Sequence, residues 1–160
     1  MRLEGEQRTV VTRSTFEHPQ VGGVDFDEAI LGLFLEKLRS AFPDTFRTYF
    51  PESTTPARRK KREDNTFRVR ALVRDAKERC FAVRQNALFA VGDALQSVDS
   101  DVVVSVTYRE FLARAAPLFD RCVACLRDDL RASQLALDSV DHLLFVGGST
   151  AFLELRERVE

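Results

Sequence analysis

Short runs of β-branched and apolar residues mark the strands that this sequence predicts. Residues 8–17 are rich in Val and Thr and predict a strand, with residues 2–4 as a short partner. Residues 87–91 and 101–106 flank a turn and predict a hairpin with a long loop. The continuous apolar run 142–146 predicts a strand that is covered on both faces.

Other stretches repeat apolar residues every three or four positions, which predicts amphipathic helices. The first begins at Asp25, the expected N-cap, and ends before Pro43. The second covers residues 67–85, and the third follows the cap Thr107, where Pro117 is expected to kink or divide it. The apolar positions of the first helix are Ile30, Leu31, Phe34, Leu35, Leu38 and Phe42. Those of the third helix are Phe111, Leu112, Ala115, Leu118, Phe119, Cys122, Leu126 and Leu130.

Residues 43–66 interrupt this pattern with three prolines and the basic run Arg58–Arg62, which predicts a loop or a poorly ordered insertion. The run is able to bind phosphates, but no aromatic residue is interleaved with it, so a solvated insertion is favoured. A last helix is expected from Phe152. The order β-β-α-α-β-β-α-β-α, without internal repeats, indicates an α/β or α+β fold.

Length and charge narrow the class of protein. The 160 residues suffice for one domain with one core, and 24 basic against 25 acidic residues argue against a basic nucleic-acid binder. No apolar run approaches the roughly 18 residues that span a bilayer, and no signal-peptide core is present. Three cysteines, an odd number, favour a reducing compartment, so we expect a cytoplasmic location.

The glycine-rich turn between the last predicted strand and helix is the strongest local signal for a ligand. Gly147, Gly148, Ser149 and Thr150 allow close approach to a backbone whose free N–H groups favour anions or polar ligand edges. An ordinary turn explains the same glycines. The segment lacks the Gly-Lys-Ser/Thr of a phosphate-binding loop and the dinucleotide fingerprint.

The cysteines and histidines give weaker signals. Cys122 and Cys125 have two-residue spacing, but a zinc site needs about four ligands. Cys80, His18 and His142 are the remaining candidates, and none belongs to a second motif, so Cys122 and Cys125 are expected to be small core residues. Neither histidine has a Ser or Cys partner at a diagnostic spacing, so no catalytic triad is predicted.

Four segments, in the right order, resemble one family. Residues 22–27, Gly-Gly-Val-Asp-Phe-Asp, resemble the Gly-Gly-x-Asp-Phe-Asp segment of the seventy-kilodalton heat-shock chaperones (the DnaK-like family). Residues 75–80 resemble their nucleotide-facing helix, and residues 104–111 resemble a strand-to-helix junction. Residues 144–150, Leu-Phe-Val-Gly-Gly-Ser-Thr, are very similar to their Val-Leu-Val-Gly-Gly-Ser-Thr segment.

The resemblance implies a domain organisation. Residues 1–160 would form one lobe, the second, of an actin-like ATPase domain, and would be a fragment of a longer chain. Residues 1–23 and 107–160 would belong to the inner sheet subdomain. Residues 24–106 would form the outer helix-and-hairpin subdomain, with the basic insertion near residues 43–66.

The resemblance also implies a function for the full-length parent, namely ATP binding and ATP-dependent protein folding. ATP or ADP, with Mg²⁺ in the parent, client proteins and co-chaperones are the implied partners, whereas nucleic acid and membrane are not. Within this lobe the implied nucleotide contacts are Gly147, Gly148, Ser149, Thr150 and Lys77, with no catalytic residue and no metal ligand. The family's phosphate-binding hairpins and its catalytic Lys and Asp fall outside this sequence, so the fragment alone is not expected to hydrolyse ATP.

Two positions depart from the family pattern and leave alternatives open. Val24 stands where the family has an acidic residue, and Ala151 stands where it has an arginine that stacks on adenine. The first hypothesis is the nucleotide-binding lobe of a chaperone-like ATPase. The second is a divergent, non-hydrolysing interaction module of the same fold that binds a protein partner, and the third is an actin-like filament or regulatory ATPase.

Overall fold

A computed structural model describes residues 21–52, 54–136, 140, 144 and 151–159. Helices predominate in these ranges, and the strands form one small antiparallel sheet. In chain order the elements are α1 (Gly23–Ala41), α2 (Pro43–Tyr49), α3 (Pro56–Arg79), β1 (Ala87–Ala90), β2 (Val103–Val106), α4 (Tyr108–Ala132) and α5 (Leu153–Val159), with 3-10 turns at Phe81–Val83 and Val91–Asp93.

The mixed helix-and-strand class is confirmed at this coarse level. The strands predicted at residues 2–4 and 8–17 lie outside the described residues, as does most of 142–146. Leu144 is described, and it lies outside any strand with 84% of its surface exposed. The prediction of a strand that is covered on both faces is therefore wrong at Leu144.

The predicted hairpin is confirmed. β1 and β2 pair antiparallel, with Ala87 opposite Val106 and Phe89 opposite Val104. These four side chains are buried, whereas the alternate residues Leu88 and Val103 are exposed. The period of two thus places one face of the sheet on the core.

The start of α1 differs from the prediction that Asp25 is its N-cap. Gly22 is the N-cap, and Asp25 is the third residue of the helix. The Asp25 carboxylate accepts the N–H of Gly22 at 2.7 Å, and the Asp25 N–H donates to the Gly22 carbonyl at 3.1 Å. Asp25 therefore reaches back as the acidic member of a capping box does.

At α4 the predicted capping box is confirmed. Glu110 donates its N–H to Thr107 Oγ1 at 3.2 Å and accepts the Thr107 N–H at 2.9 Å. Of the two effects expected at Pro117, division is wrong, since α4 runs through Pro117 as one helix, and the kink stays a prediction. Ala115 and Phe119, on either side of the proline, are fully buried, and this packing holds the helix together.

The loop predicted over residues 43–66 is also wrong, because most of it is helical. Pro43 and Pro56 stand at the first positions of α2 and α3, where a missing N–H costs no hydrogen bond. Thr55 caps α3 by accepting the Arg58 N–H at 3.3 Å. The prolines that indicated a loop are helix starts, and the second predicted helix begins eleven residues earlier than residue 67.

Phenylalanines dominate the core, which forms around α1. α1 packs against α2, α3, α4 and β2. Phe26 lies 4.9 Å from Phe119 and 4.9 Å from Phe152 between ring centroids, and Phe111 stacks on Phe81 at 4.6 Å. This cluster ties the first turn of α1 to α4 and to the segment that precedes α5.

Candidate nucleotide-binding wall

A buried ion pair joins the first turns of α1 to the C-terminal end of α3. Lys77 Nζ lies 2.7 Å from Asp27 Oδ1 and donates a hydrogen bond to the Gly23 carbonyl at 3.2 Å. Lys77 is 7% exposed and Asp27 is 8% exposed. Apart from this ion pair, Asp27 Oδ1 has no hydrogen-bonding partner among the described residues, so Lys77 compensates its charge.

A second ion pair lies along the same interface, nearer to solvent. Arg70 Nη2 lies 2.5 Å from Glu28 Oε1, and both side chains are about half exposed. Glu28 therefore pairs with α3. The two pairs fix the position of α3 beside the start of α1.

The segment before α5 packs on the same end of α1. Phe152 is 1% exposed and contacts both Phe26 and Phe119, with ring centroids 4.9 Å and 5.4 Å away. Arg158 of α5 lies over the Phe119 ring at 5.4 Å and forms ion pairs with Asp120 and Glu154. The N-terminal turn of α1 is thus bordered by α3 on one side and by the residues around Phe152 on another.

Of the residues predicted to contact nucleotide, Lys77 is described, and it lies at this border. Gly147, Gly148, Ser149 and Thr150 lie outside the described residues. The two positions that depart from the family pattern are on the surface, since Val24 is 66% exposed and Ala151 is also exposed.

Among the described residues, the cysteines do not belong to a cluster of potential metal ligands. Cys80, Cys122 and Cys125 are free and half-buried, and no group of three potential metal ligands occurs within the described ranges. Burial raises the pKa of the Cys122 thiol, which keeps it protonated. Cys122 packs against the core, as predicted. His18 and His142 fall outside the described residues.

Asp27 is the site residue that the periodicity argument missed. It precedes Ile30, Leu31 and Phe34 by three, four and seven positions, so it belongs to the apolar stripe of α1. Lys77 likewise follows buried Val73 by four positions. One acidic and one basic residue on the apolar faces of two helices indicate a buried pair, because an isolated buried charge is very costly.

Comparison with known proteins assigns the chain to a class. The sequence model of the family described as Hsp70 protein matches residues 5–160. The chain belongs to the Hsp70 family. The resemblance inferred from four short segments is confirmed.

Particular relatives share the same name. The chain is 28% identical over 153 residues to Hypoxia up-regulated protein 1 of Mus musculus. This match covers 94% of this chain and 15% of that protein. The protein of the same name from Danio rerio is 28% identical over 146 residues, and that from Homo sapiens is 27% identical over 139 residues. These matches cover 89% and 86% of this chain, and 14% of each relative.

The chain therefore spans about one seventh of the length of the curated relatives that it matches. None of the helices in its described ranges combines enough length and apolar character to cross a membrane.

Proposed function

We propose that this chain is the second lobe of an actin-like, Hsp70-type ATPase domain and forms the adenosine side of a nucleotide cleft. The full-length protein would bind ATP or ADP with Mg²⁺ and use the nucleotide cycle in protein folding, with client proteins and co-chaperones as partners. The lobe alone would not hydrolyse ATP. A cytoplasmic location stays a prediction based on the unpaired thiols.

The contact between Phe26 and Phe152 carries this proposal. Phe26 belongs to the Gly-Gly-x-Asp-Phe-Asp segment, and Phe152 follows the Gly-Gly-Ser-Thr segment by two residues. Their rings lie 4.9 Å apart in the core, so the chain returns to the base of α1 directly after the glycine-rich segment. Phe26 and Phe152 are 126 positions apart in sequence and are neighbours in the core, which supports a shared binding wall.

Lys77 supports the proposal by position. Its ammonium holds the Gly23 carbonyl and the Asp27 carboxylate, and so it fixes the turn on which the adenosine would lie. A direct contact with the ribose or the adenine edge would use the small exposed fraction of the same ammonium. In either case the loss of Lys77 would weaken nucleotide binding.

Calorimetric titration of MgATP and MgADP into the full-length protein tests the proposal. Ala151→Arg restores the arginine of the family pattern, and stacking of its guanidinium on adenine should tighten binding roughly threefold to tenfold. Ala71→Arg, on the exposed face of α3, is the matched control and should leave affinity unchanged. An equal response of the two variants would show that the wall lies elsewhere.

A second candidate function is a non-hydrolysing interaction module of the same fold. It is favoured by Val24 and Ala151, whose exposed side chains offer neither charge nor stacking to a nucleoside. Absence of nucleotide binding in the same titration, at millimolar MgADP, would support this candidate over the first.

A further inference from the structure

A groove of about 840 Å³ opens between the C-terminal end of α1, α2 and the N-terminal half of α3. This volume falls within the range of roughly 300–1,000 Å³ that ligand-binding clefts occupy. Its described lining contains one carboxylate, Glu52, against five cations, which are Arg39, Arg47, Arg58, Lys61 and Arg62. The groove lies at the end of α3 opposite to Lys77.

Most of these cations lack an acidic partner. Arg47 pairs with Asp44 at 2.6 Å. Throughout the described part of the chain, no carboxylate lies within ion-pair distance of any residue of the run 58–62, although Glu63 and Asp64 follow directly. The Arg58 guanidinium donates a hydrogen bond to the neutral Thr54 hydroxyl at 3.3 Å. The groove therefore presents uncompensated positive charge.

The same cations oppose the electrostatics of the helix that carries them. α3 begins at Pro56 and has no acidic residue in its first turn, where the helix dipole is already positive. Arg58 occupies the third helical position after the cap Thr55, where a capping box has Glu or Gln. Because no described residue compensates this unfavourable arrangement, we expect the compensating charge to come from a partner.

The charge of the chain is divided unevenly. Residues 56–70 contain seven basic and two acidic residues, whereas the other positions contain 17 basic and 23 acidic residues. A long-range preference for an anionic partner is therefore confined to this end of the molecule.

The aromatic residues of the groove distinguish an acidic peptide from a nucleic acid. The Phe46 ring stacks on buried Phe50 at 5.7 Å and has Arg39 over it at 5.9 Å. Lys61 lies 5.8 Å from the centroid of the Tyr49 ring. Single-stranded nucleic acids need free ring faces for base stacking, and the Phe46 and Tyr49 rings each already have a cation near them. Carboxylates need only the cations of the groove to bind.

We propose that the groove between α1, α2 and α3 binds an acidic segment of a partner protein through Arg58, Lys61 and Arg62. This inference rests on the second candidate function, whose partner chemistry it names. It is independent of nucleotide binding, because the groove and the wall at Lys77 lie at opposite ends of α3.

Fluorescence anisotropy of labelled deca-glutamate with the full 160-residue chain tests the proposal at low ionic strength. We expect saturable binding that weakens as salt is added. The double variant Arg58→Glu/Lys61→Glu should lose at least about tenfold in affinity, since both side chains line the groove. Arg59→Glu/Lys60→Glu makes the same charge change within the same run, but neither side chain lines this groove, so the loss should stay below about threefold.

Three outcomes would overturn the proposal. Equal losses in the two double variants would mean diffuse attraction to the whole run. Tighter binding of labelled deca-thymidylate than of deca-glutamate would make nucleic acid the occupant, and absence of saturable peptide binding would remove the site. Circular dichroism of both variants controls for folding, and Arg58→Ala/Lys61→Ala should reproduce the loss without reversing charge. MgADP titration of the full-length protein with the same substitutions should be unchanged, which separates this test from that of nucleotide binding.

Discussion

The two ends of α3 carry the same type of side chain in opposite environments. At the C-terminal end, Lys77 is 7% exposed and its ammonium is compensated by Asp27 and the Gly23 carbonyl. At the N-terminal end, the run Arg58–Arg62 is largely exposed and forms no ion pair within the described ranges. The difference lies in the neighbouring helix, since α1 places an acidic residue, Asp27, beside Lys77 but none within ion-pair distance of the described run Arg58–Arg62.

This comparison separates two roles of positive charge in this Hsp70-family chain. A buried cation must be paired, because removing it would leave its partner charged and dehydrated. An exposed run needs no partner for stability, so we assign this run a role in binding. Lys77 should therefore affect the free energy of unfolding, and the run should affect affinity for an anion.

The largest effect that would test this contrast is expected for Lys77→Met. It leaves the Asp27 carboxylate buried without a counter-charge, and it should lower the free energy of unfolding by about 3–5 kcal/mol. Lys60→Met, within the exposed run, is the matched control and should change it by less than about 0.5 kcal/mol. Urea denaturation measures both.

Adding Asp27→Leu to Lys77→Met sharpens the same test. The double variant removes both charges, so it should recover most of the lost stability. A double variant as unstable as Lys77→Met alone would contradict the claim that an uncompensated carboxylate causes the loss.

A smaller effect is expected at the junction between the two ends of α3. Asn65 is 7% exposed and donates its amide to the Tyr49 carbonyl at 2.7 Å, which joins α2 to α3. Asn65→Ala should cost about 1–3 kcal/mol, because a partly buried carbonyl loses its donor. The exposed Gln85 is the control, and Gln85→Ala should be nearly neutral in the same denaturation assay.

The ion pair of Glu110 with Lys37 provides an intermediate case at the surface. Lys37 Nζ lies 2.7 Å from Glu110 Oε1. This contact, together with hydrogen bonds from Thr107, lowers the pKa of the Glu110 carboxyl from 4.5 to about 2. A lowered pKa in the folded state stabilises the fold above the unfolded value, and this stability is lost as pH falls from about 4.5 through about 2.

Glu110→Gln should therefore cost about 1 kcal/mol at neutral pH, discounted for solvent exposure, and progressively less on acidification through that window. Denaturation at a series of pH values measures the difference from wild type. Glu78→Gln on the exposed surface of α3 makes the same change of net charge and is the control. A constant cost for Glu110→Gln at all pH values would refute the electrostatic origin.

The smallest effect has the opposite sign. Arg58→Glu creates a capping box with Thr55 and removes a cation from the start of α3, so it should stabilise the fold by about 0.5 kcal/mol. The thermal midpoint should rise slightly, while deca-glutamate binding falls. A variant that loses both stability and binding would show that Arg58 serves the fold, and the contrast between the two ends of α3 would fail.

Local sequence pattern predicted the elements whose signals lie within a few residues. The hairpin pairing and the capping box at Thr107 and Glu110 were predicted correctly, because alternation and capping are properties of neighbouring residues. The predicted start of α1, at Asp25, was three residues too late, since Gly22 and Asp25 both satisfy parts of the capping pattern and Gly22 is the N-cap. The loop assigned to residues 43–66 was wrong because proline signals a break and a helix start equally well.

The sequence by itself determined the family, the apolar faces of the helices and the presence of a basic run. Only the tertiary structure decided that Lys77 pairs with Asp27, that Phe152 packs on Phe26, and that Arg58, Lys61 and Arg62 line a groove with α1 and α2. The physical reason is that periodicity fixes which face of a helix a side chain occupies, whereas its partner depends on how separate helices pack. Charge compensation is a property of that packing, and it distinguishes a lysine that holds the fold from a lysine that is free to bind.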